Sequence, residues 1–532
     1  METARNLKDS ILEIEGYSTK SPLVLRKALF SKGILATETE ISKALIAPKY
    51  CDPILNNLEY FDLINDNLHM SDEEIICMLE DLEAECEAPP LYFPHNADFR
   101  SRLYPMCTGL HPQQGDVSKS ILRIKKGKAI GTDKDFLDGW PSALGWLKIH
   151  VANTAGLDKD TYEDRIQWCT DNKQLIIESS EYSGDFWKSA DKPFSFLAAC
   201  KDLAGYWREG PEFISTVPIA MDGMCNGSQH YAMMRRDSVA AAAVSVSPSS
   251  KPKDLYTEVS DEVLRLIEQD KTSKTLISYT TKNRNTATIK KSEISSRWLN
   301  LTWDRKLTKR PTMCIVYGLT KGGAWEYVQE YLVGRELDIT DEMPTVAVSY
   351  MRDRIWEALF SVLTSSMETM GELQTLARIV SKRGDLLEWY GPTGWKVIQG
   401  NMKLKKRDVE VWKDGKKIHK FSLRKPTDTI NISSQVNAIA PNIIHTMDAG
   451  HLQLTVLECL RQGVESFVMI HDSFGTCAAD APIMAKALRT TFVDMYRQDV
   501  LGKLFDDHQV ENSMKQGDLD PETVKESKYF FG

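Results

Sequence analysis

Two apolar segments of this chain end abruptly in an aspartate, and this feature constrains the fold more than any other. The first is VPIAMDGMCNGSQHYA, residues 217–232, in which Asp222 ends a strand-like run and Gly223 follows at once. The second is ESFVMIHDSFGTCAAD, residues 465–480, in which an apolar run leads to Asp472 and strand-like residues resume beyond it. The second pattern predicts a hairpin that carries a carboxylate at its tip.

Aspartates at two strand ends can hold divalent cations if the fold brings the strands together. Mg²⁺ binds a few carboxylate oxygens together with substrate phosphates rather than a full protein cage. Two such ions, about 3.5–4 Å apart, stabilise the attacking and leaving oxygens of phosphoryl transfer. Gly223 would let phosphates and metal approach the backbone. Each aspartate taken singly is also a common turn residue, and the two segments alone leave that alternative open.

A third segment, WDRKLTKRPTMCIVYGLTKGGA at 303–324, places cations and apolar groups at helical spacing. Four residues recur every four positions and so share one helix face: Arg305, Lys309, Met313 and Tyr317. Such a face suits a nucleoside triphosphate, because the cations can meet the phosphates while the thioether and the ring lie against base and sugar. Gly318 is expected to end the helix. The alternative is a surface helix with a solvated basic edge.

The charge of the chain is unevenly distributed. The net charge of −9 counts against nucleic-acid binding when taken alone. Residues 72–87 are acidic, however, whereas residues 403–425 carry ten Lys/Arg against three Asp/Glu. Because screening limits charge effects to about 8–10 Å, this basic segment can attract a polyanion locally. A solvated face is the alternative explanation of each cluster.

The composition is that of a globular protein, with 42% hydrophobic and 27% charged residues. No apolar run approaches the ~18 residues needed to span a bilayer, so no membrane partner is expected. The start, METARNLKDS, lacks the apolar region of a signal peptide. The ten cysteines are scattered without a CxxC pair, which argues against a zinc site and a disulfide framework. A cytoplasmic location is therefore expected.

Local patterns predict several elements. Residues 1–70 indicate short helices followed by a hairpin, FDLINDNLHM, which fits either a winged helix or a helical bundle. The Ser/Thr/Lys-rich segment 271–296 is expected to be an exposed connection. The segment VEVWKDGKKIHKF alternates apolar and polar residues across Asp414-Gly415 and predicts a hairpin.

The three segments that could carry chemistry resemble motifs A, B and C of the phage-type single-subunit RNA polymerases, a group that includes the mitochondrial enzyme. Motif A resembles DGMCNGSQHYAMM, motif B resembles RKLTKRPTMCIVYG, and motif C resembles HDSFGT. Further stretches agree: FPHNADFRSRLY, KGKAIG, WLKIHVANTAGLDK, DLYTEV, YGPTGW and NAIAPNIIHTMDAGHL. The resemblance covers about residues 90–532.

The resemblance implies a helix-rich α+β fold, the right-hand polymerase fold with palm and fingers. Four parts are implied. Residues 1–90 form a short helical N-terminal region, which is a thumb remnant or winged-helix-like, and residues 91–255 form the first part of the palm, with motif A. Residues 256–445 form the fingers, with motif B and with a basic hairpin at 400–430 that is similar to a specificity loop, and residues 446–532 form the second part of the palm, with motif C.

The resemblance also implies an activity. A DNA-directed RNA polymerase joins ribonucleoside triphosphates on a DNA template into nascent RNA, here by a two-metal mechanism with two Mg²⁺ ions. It would transcribe phage or organellar genes, in the host cytoplasm if the source is a phage. Three alternatives stay open: a DNA-synthesising polymerase of the same fold, a catalytic subunit that needs a second chain for promoter recognition, and a non-catalytic DNA-binding subunit.

Site residues are carried over by the same resemblance. The metal site is implied at Asp222, Gly223 and Asp472, and the catalytic residues are the two aspartates and Lys309. The nucleotide pocket is implied at Arg305, Lys309, Met313, Tyr317, Gly318, Tyr256, Lys148 and His445, with His445 near the ribose 2′-OH. Nucleic-acid contacts are implied at Arg102, Tyr104, Lys126, Lys128, Arg310 and His471, the last beside the RNA 3′ end or initiating nucleotide.

Ribonucleotide use is expected from the residues directly after the motif A aspartate. Related DNA polymerases place a bulky glutamate shortly after this aspartate, where it excludes a 2′-OH, and residues 223–227 offer no such carboxylate. A hydrogen-bonding His445 would favour the hydroxyl further, because a buried polar group left unpaired penalises the deoxy analogue. A histidine buried with partners of its own is the alternative.

Three features depart from the family pattern. The Arg102 motif usually reads Asp-x-x-Gly-Arg, but position 101 is serine, which puts the loop conformation in question. Pro311 lies inside the motif B segment and is expected to kink its helix. Family members carry several hundred residues before this motif, and about 95 precede it here. Promoter opening is therefore expected to fall to a second polypeptide, to a single-stranded template or its binding factor, or to a portion missing from this chain.

Overall fold

The computed structural model describes residues 92–532, apart from 108–110, 182–183, 281–285, 302, 333–343 and 414–415. The predicted N-terminal helices and hairpin, the acidic segment 72–87 and the Asp414-Gly415 turn lie outside the described residues. Within the described part, helices dominate and the strands form small antiparallel sheets. The predicted helix-rich α+β class is confirmed.

The α-helices of the described residues are numbered in chain order. They are α1 Asp116–Ile121, α2 Ala143–Ala155, α3 Tyr162–Asp171, α4 Lys173–Ser180, α5 Pro193–Glu209, α6 Asn226–Arg235, α7 Ser238–Ala243, α8 Leu255–Asp270, α9 Lys291–Leu299, α10 Lys306–Ile315, α11 Lys321–Leu332, α12 Pro344–Val362, α13 Thr364–Arg383, α14 Ile432–Arg461, α15 Ala481–Met495 and α16 Val500–Asp507. None of these helices is both long and apolar enough to cross a membrane.

The strands are short, except for the two that form one long hairpin. They are β1 His95–Ala97, β2 Leu103–Pro105, β3 Lys128–Ala129, β4 Phe136–Leu137, β5 Trp140–Pro141, β6 Ile214–Ser215, β7 Ile219–Asp222, β8 Leu276–Thr280, β9 Thr286–Lys290, β10 Leu387–Tyr390, β11 Lys396–Gln399, β12 Met402–Lys413, β13 Lys416–Ile430, β14 Val468–Ile470 and β15 Ser473–Thr476. The pairs are β1-β2, β3-β6, β4-β5, β8-β9, β10-β11 and β12-β13, and the three-stranded sheet has the order β14-β15-β7.

The three-stranded sheet joins the two segments that end in aspartate. Strands β14 and β15 form the predicted hairpin, and β7 pairs antiparallel with the other edge of β15. The register sets Asp222 opposite Ser473 and Ile219 opposite Thr476. Residues that lie about 250 positions apart in the chain therefore meet at one end of a single small sheet.

An aromatic cluster supports the buried face of this sheet. The Phe474 ring of β15 lies 5.2 Å from the His451 ring of α14 and 5.3 Å from the Phe531 ring, measured between centroids. Phe492 of α15 packs at 4.6 Å against Phe530. Gly223 forms an isolated antiparallel bridge with Phe531, so residues near the C-terminus continue the sheet beside the motif A strand.

Side-chain caps explain where the site-bearing helices begin. The Ser142 hydroxyl accepts from Gly145 N (3.1 Å) at the start of α2, and Asn431 caps α14 by accepting from Ser434 N (3.2 Å). Such caps satisfy amides that have no partner within the helix. Helix α10 continues across Pro311, and Gly318 with φ of 84° lies beyond its end. The expected kink at the proline stays a prediction.

Many described residues of 271–296 are exposed, as expected, but most of them form regular structure, so the expectation of an irregular connection was wrong. Strands β8 and β9 pair there and helix α9 follows. Ile277 and Tyr279 alternate with polar residues and pack against the core, and the Tyr279 hydroxyl donates to Asp353 at 3.2 Å. Ser/Thr-rich composition concealed a two-residue periodicity that is typical of a half-buried strand.

Arg489 holds the C-terminal segment onto α15 and gives a stability prediction. The guanidinium is buried and donates to the carbonyls of Ser527 (2.9 Å), Lys528 (2.8 Å) and Ala485 (2.6 Å). Arg489→Met leaves these buried acceptors unpaired, so we expect the free energy of unfolding to fall by about 2–4 kcal/mol. Chemical denaturation followed by tryptophan fluorescence measures the change. The control Arg497→Met, at an exposed ion pair, is expected to cost less than about 1 kcal/mol.

Candidate active site

The two predicted catalytic carboxylates lie side by side. Asp222 ends β7 and lies opposite Ser473 of β15, and Asp472 directly precedes Ser473. The Gly223 amide donates to the Asp472 carbonyl at 3.4 Å. His471, with φ of 52°, forms the other half of the two-residue hairpin tip. The structure therefore brings together the two side chains that the sequence predicted, at the open end of the sheet.

The electrostatics of this pair suit a bound cation. Burial raises the pKa of Asp472, and the charge of Asp222 raises it further. Two adjacent carboxylates are the kind of ligand that Mg²⁺ takes when substrate phosphates supply the remaining oxygens. Within the described residues, no group of three or more His, Cys, Asp or Glu side chains could hold a metal. Asp222 and Asp472 supply two carboxylates, so substrate oxygens would have to complete any metal site that they hold.

Gly223 is tightly surrounded. A Cβ atom there would lie 3.2 Å from each of Asn226 Cβ, Gln229 Oε1 and Phe531 Cζ. These contacts are closer than most side chains tolerate, so the absence of a side chain keeps β7 against the C-terminal segment. The proposed approach of phosphates to this backbone stays a prediction.

The cationic segment begins beside motif A, at the start of α10. The Arg305 guanidinium pairs with Asp254 through two contacts of 2.8 Å and lies 5.0 Å from the Tyr256 ring centroid. The two ion-pair contacts outweigh burial and lower the pKa of Asp254. Lys309 is exposed one turn further along, and Met313 follows with 42% of its surface exposed. Arg305, Lys309 and Met313 keep the predicted helical spacing, but α10 ends at Ile315, so Tyr317 lies in the turn beyond the helix and not on its face.

Gly227 of α6, Tyr317 beyond the end of α10 and His445 of α14 lie close together. The Tyr317 ring is 5.0 Å from the His445 ring, with an interplanar angle of 31°. A Cβ atom at Gly227 would lie 2.7 Å from Val316 Cγ2 and 3.2 Å from the Tyr317 hydroxyl oxygen. Tyr317 therefore rests on the glycine that follows Asp222 by five positions. Burial lowers the pKa of His445 to about 3, with Arg102 and Arg100 contributing.

The β1–β2 hairpin carries a second ion-pair system. Arg102 donates to Asp448 of α14 with distances of 3.0 and 2.5 Å. Burial raises the pKa of Asp448, and the Arg102 guanidinium opposes that shift. Ser101 is buried and takes φ of 69°. The left-handed conformation of the usual glycine is therefore kept, with the Asp98 carboxylate accepting from the amides of Arg100 (2.8 Å) and Arg102 (3.0 Å).

The structure places the predicted Lys148 differently from the other nucleotide-binding candidates. Lys148 is buried in α2, and its amine lies 2.7 Å from an Asp135 carboxylate oxygen. A cavity of ≈ 100 Å³ beside Asp222 and Gly223 is lined instead by Lys159 and Lys192. Lys159 also contributes to the electrostatics of Asp254, the partner of Arg305. Of the two lysines in WLKIHVANTAGLDK, Lys159 is the one that lines the cavity beside the motif A aspartate.

The remaining nucleic-acid candidates lie on more exposed surfaces. Lys126 approaches Glu465 at 3.3 Å, and Lys128 pairs with Asp480 at 2.8 Å. Arg310 pairs with Glu330 and lies over the Tyr327 ring. The His471 ring contacts the Tyr104 ring at 4.8 Å, which joins the motif C tip to the β1–β2 hairpin. The long basic hairpin β12–β13 is present, with residues 403–408 and 422–425 exposed.

Sequence reasoning missed several groups of the site: Asp98, Arg100, Asp254, Lys159 and Asp448. All five lie inside the stretches FPHNADFRSRLY, WLKIHVANTAGLDK, DLYTEV and NAIAPNIIHTMDAGHL. The signal was therefore present as charged residues next to the assigned ones. Their pairing across elements could not be deduced from spacing.

Comparisons with known proteins agree on one family. A family model described as DNA-dependent RNA polymerase matches residues 140–515. The chain is 33% identical over 481 residues to the mitochondrial DNA-directed RNA polymerase 1 of Arabidopsis thaliana, covering 88% of this chain and 46% of that protein. It is 32% identical over 476 residues to T7 RNA polymerase of Escherichia phage T7, a match that covers 83% of this chain and 52% of that protein. It is 31% identical over 458 residues to a DNA-directed RNA polymerase of Enterobacteria phage K11, a match that covers 81% of this chain and 49% of that protein. The chain spans about half the length of the curated relatives it matches.

The Arg102–Asp448 pair gives a prediction about stability. Removing one member leaves the other charge mostly buried and unpaired, so we expect Asp448→Ala and Arg102→Met each to lower the free energy of unfolding by about 3–5 kcal/mol. The double variant is expected to lose less than the sum, because no isolated charge remains. Chemical denaturation of the four chains measures this coupling, and additive losses would contradict it.

Proposed function

This chain belongs to the phage-type DNA-dependent RNA polymerases, and from that premise we propose that it synthesises RNA on a DNA template from ribonucleoside triphosphates. One observation carries the proposal: Asp222 and Asp472 meet at a strand end, and helix α10, which follows Arg305 and carries Lys309, ends close to Gly227 of the helix after Asp222. A non-catalytic DNA-binding role would not need this paired arrangement. The palm is proposed at 91–255 and 446–532, and the fingers at 256–445.

The proposed reaction is nucleotidyl transfer. The 3′-hydroxyl of the RNA loses its proton to water, and its oxygen bonds to the α-phosphorus of the incoming nucleotide. The bond between that phosphorus and the α–β bridging oxygen breaks, and pyrophosphate leaves. Two Mg²⁺ ions, held by Asp222 and Asp472 with substrate oxygens, would supply charge neutralisation and a more acidic hydroxyl. Lys309 is the candidate proton donor to the leaving pyrophosphate, because it is exposed on the face of α10 that follows Arg305.

Three cations are proposed to bind the triphosphate. Lys309 is exposed on α10, Lys159 lines the cavity beside Asp222, and Arg305 stands between them. Asp254 engages Arg305 at Nε and Nη2, which fixes the guanidinium plane and leaves Nη1 for a phosphate oxygen. A preorganised guanidinium loses less conformational entropy when it binds.

Sugar selection is proposed to lie between Gly227, Tyr317 and His445. A glutamate at 227 would have to enter the space that Tyr317 occupies, so glycine leaves room for Tyr317 to lie where we propose that it meets the sugar. A DNA-synthesising relative is the alternative function, and the absence of a carboxylate at 223–227 disfavours it.

Template and nascent RNA are proposed to contact the side of the site that carries Arg102, Tyr104 and His471, with Lys126, Lys128 and Arg310 further out. The exposed basic residues of the β12–β13 hairpin suit phosphate contacts, which make binding strongly salt-dependent. The need for a second polypeptide in promoter opening stays a prediction.

The carboxylate pair supplies the first test of the proposed function. Asp472→Asn removes one negative charge from the metal site, so we expect primer extension on a DNA template to fall by about 1,000-fold or more. Template binding, measured by fluorescence anisotropy, is expected to stay within about twofold of wild type. The control Asp171→Asn changes an exposed carboxylate at the end of α3 and should extend normally. Extension by Asp472→Asn at the wild-type rate would refute the assignment.

Substitutions of Lys159 and Lys148 test which of the two lysines binds the triphosphate. Lys159 is proposed from the structure, and Lys148 was predicted from the sequence alone. Lys159→Met is expected to raise KM for the nucleotide by roughly 10- to 100-fold, because a charge-assisted phosphate contact is lost. Lys148→Met should lower stability, since Asp135 loses its buried partner, and leave KM nearly unchanged. Steady-state extension and thermal unfolding measure both effects. The reverse pattern of KM changes would restore Lys148 as the triphosphate ligand.

A further inference from the structure

Arg100 makes a contact with His445 whose direction is fixed by chemistry. Its Nη1 atom lies 2.6 Å from His445 Nδ1. A guanidinium has five N–H donors, no acceptor, and stays protonated at all working pH values. His445 Nδ1 must therefore accept this hydrogen bond with its lone pair, and the ring proton resides on Nε2.

The other nitrogen atoms of the Arg100 guanidinium donate hydrogen bonds that keep Nη1 in this contact. Asp98 accepts from Arg100 Nε at 2.9 Å and from Nη2 at 2.6 Å. The Nη1 group that faces His445 also approaches Asn442 Oδ1 at 3.4 Å. The Asn442 amide is oriented in turn, because its Nδ2 donates to Gln399 Oε1 at 2.8 Å. Arg100 therefore has a defined orientation and is not a mobile cation.

The His445 ring lies beside Tyr317, which we assign to the proposed sugar pocket. Tyr317 packs against the imidazole and rests on Gly227, which lies at the start of α6 shortly after Asp222. A neutral imidazole that accepts a hydrogen bond at Nδ1 has one N–H group, and this group is at Nε2. Its burial and the neighbouring guanidinium groups disfavour a second proton.

We propose that Arg100 is a positioning residue that fixes His445 as an Nε2–H donor, so that the site selects nucleotides with a hydrogen-bond acceptor at the 2′ position. The inference rests on the proposed function, since it names a determinant of that same site. Arg100 acts through His445 and does not itself touch the substrate.

The test is extension of an RNA primer on a DNA template with rNTP, dNTP or 2′-fluoro-dNTP. In the wild-type chain we expect kcat/KM to rank 2′-hydroxyl above 2′-fluoro above 2′-hydrogen, because fluorine can accept a hydrogen bond but cannot donate one. Arg100→Met should lower the ratio of ribo to deoxy kcat/KM by about tenfold, the value of one such hydrogen bond, and remove the advantage of fluorine. Arg265→Met, at an exposed pair on α8, is the matched control and should change neither ratio.

Other outcomes overturn the inference. If Arg100→Met lowers kcat/KM equally for all three nucleotides, Arg100 contacts phosphate or template instead of setting sugar preference. Combining Arg100→Met with His445→Ala should give the selectivity of His445→Ala alone, and a further loss would show that Arg100 acts independently.

A spectroscopic readout separates this inference from the proposed function. Nitrogen NMR of the full chain with ¹⁵N-labelled histidine, assigned with the His445→Gln variant, should show the Nε2–H tautomer for His445. The Nδ1–H tautomer would refute the role of Arg100, whether or not the chain extends a primer. A chain that shows the Nε2–H tautomer but extends no primer would count against the polymerase proposal and leave the tautomer assignment standing.

Discussion

The pair of carboxylates at the end of β7 and at the β14–β15 tip is the constraint on which the rest of the site depends. Asp222 and Asp472 repel each other, and burial adds a desolvation cost that raises the pKa of Asp472. Such a pair persists only where the backbone is held by other interactions. Here these are the antiparallel register of β15 with β7, the Gly223–Phe531 bridge and the aromatic packing around Phe474. The aromatic cluster thus stabilises a geometry that is electrostatically unfavourable without bound cations.

The arginines around the site repeat one arrangement. Arg305 is paired with Asp254, Arg102 with Asp448 and Arg100 with Asp98. Each carboxylate lowers the cost of keeping a cation partly buried and fixes the plane of the guanidinium. The arginines can therefore face phosphates, template or histidine without the large rearrangement that a free side chain would need. A site built in this way is preorganised before any substrate binds.

Sequence predicted the parts of the fold that rest on short patterns. The apolar run to Asp222 and the hairpin around Asp472 reflect local periodicity, and the structure bears out their convergence. The spacing from Arg305 is kept as far as Met313, since α10 ends at Ile315. The role of Lys148 as a nucleotide ligand stays a prediction, and its amine pairs with Asp135. Most residues of α2 are buried, so the sequence gives no polar face by which to tell that this lysine points to Asp135. The strand β8 was missed because its partly buried residues, Ile277 and Tyr279, lie among serine, threonine and lysine.

Pairings between distant segments lie beyond this kind of reasoning for a physical reason. The partners Arg102 and Asp448 are separated by 346 positions, and only the packing of the β1–β2 hairpin on α14 brings them together. The serine at position 101 shows a local constraint instead. A non-glycine residue in the left-handed region costs on the order of 1 kcal/mol, yet the loop keeps this conformation because the Asp98 carboxylate accepts from two of its amides. Hydrogen bonds within the loop therefore hold a conformation that glycine would favour. The same carboxylate also orients Arg100 toward His445, so the departure at Ser101 leaves the geometry next to the sugar pocket unchanged.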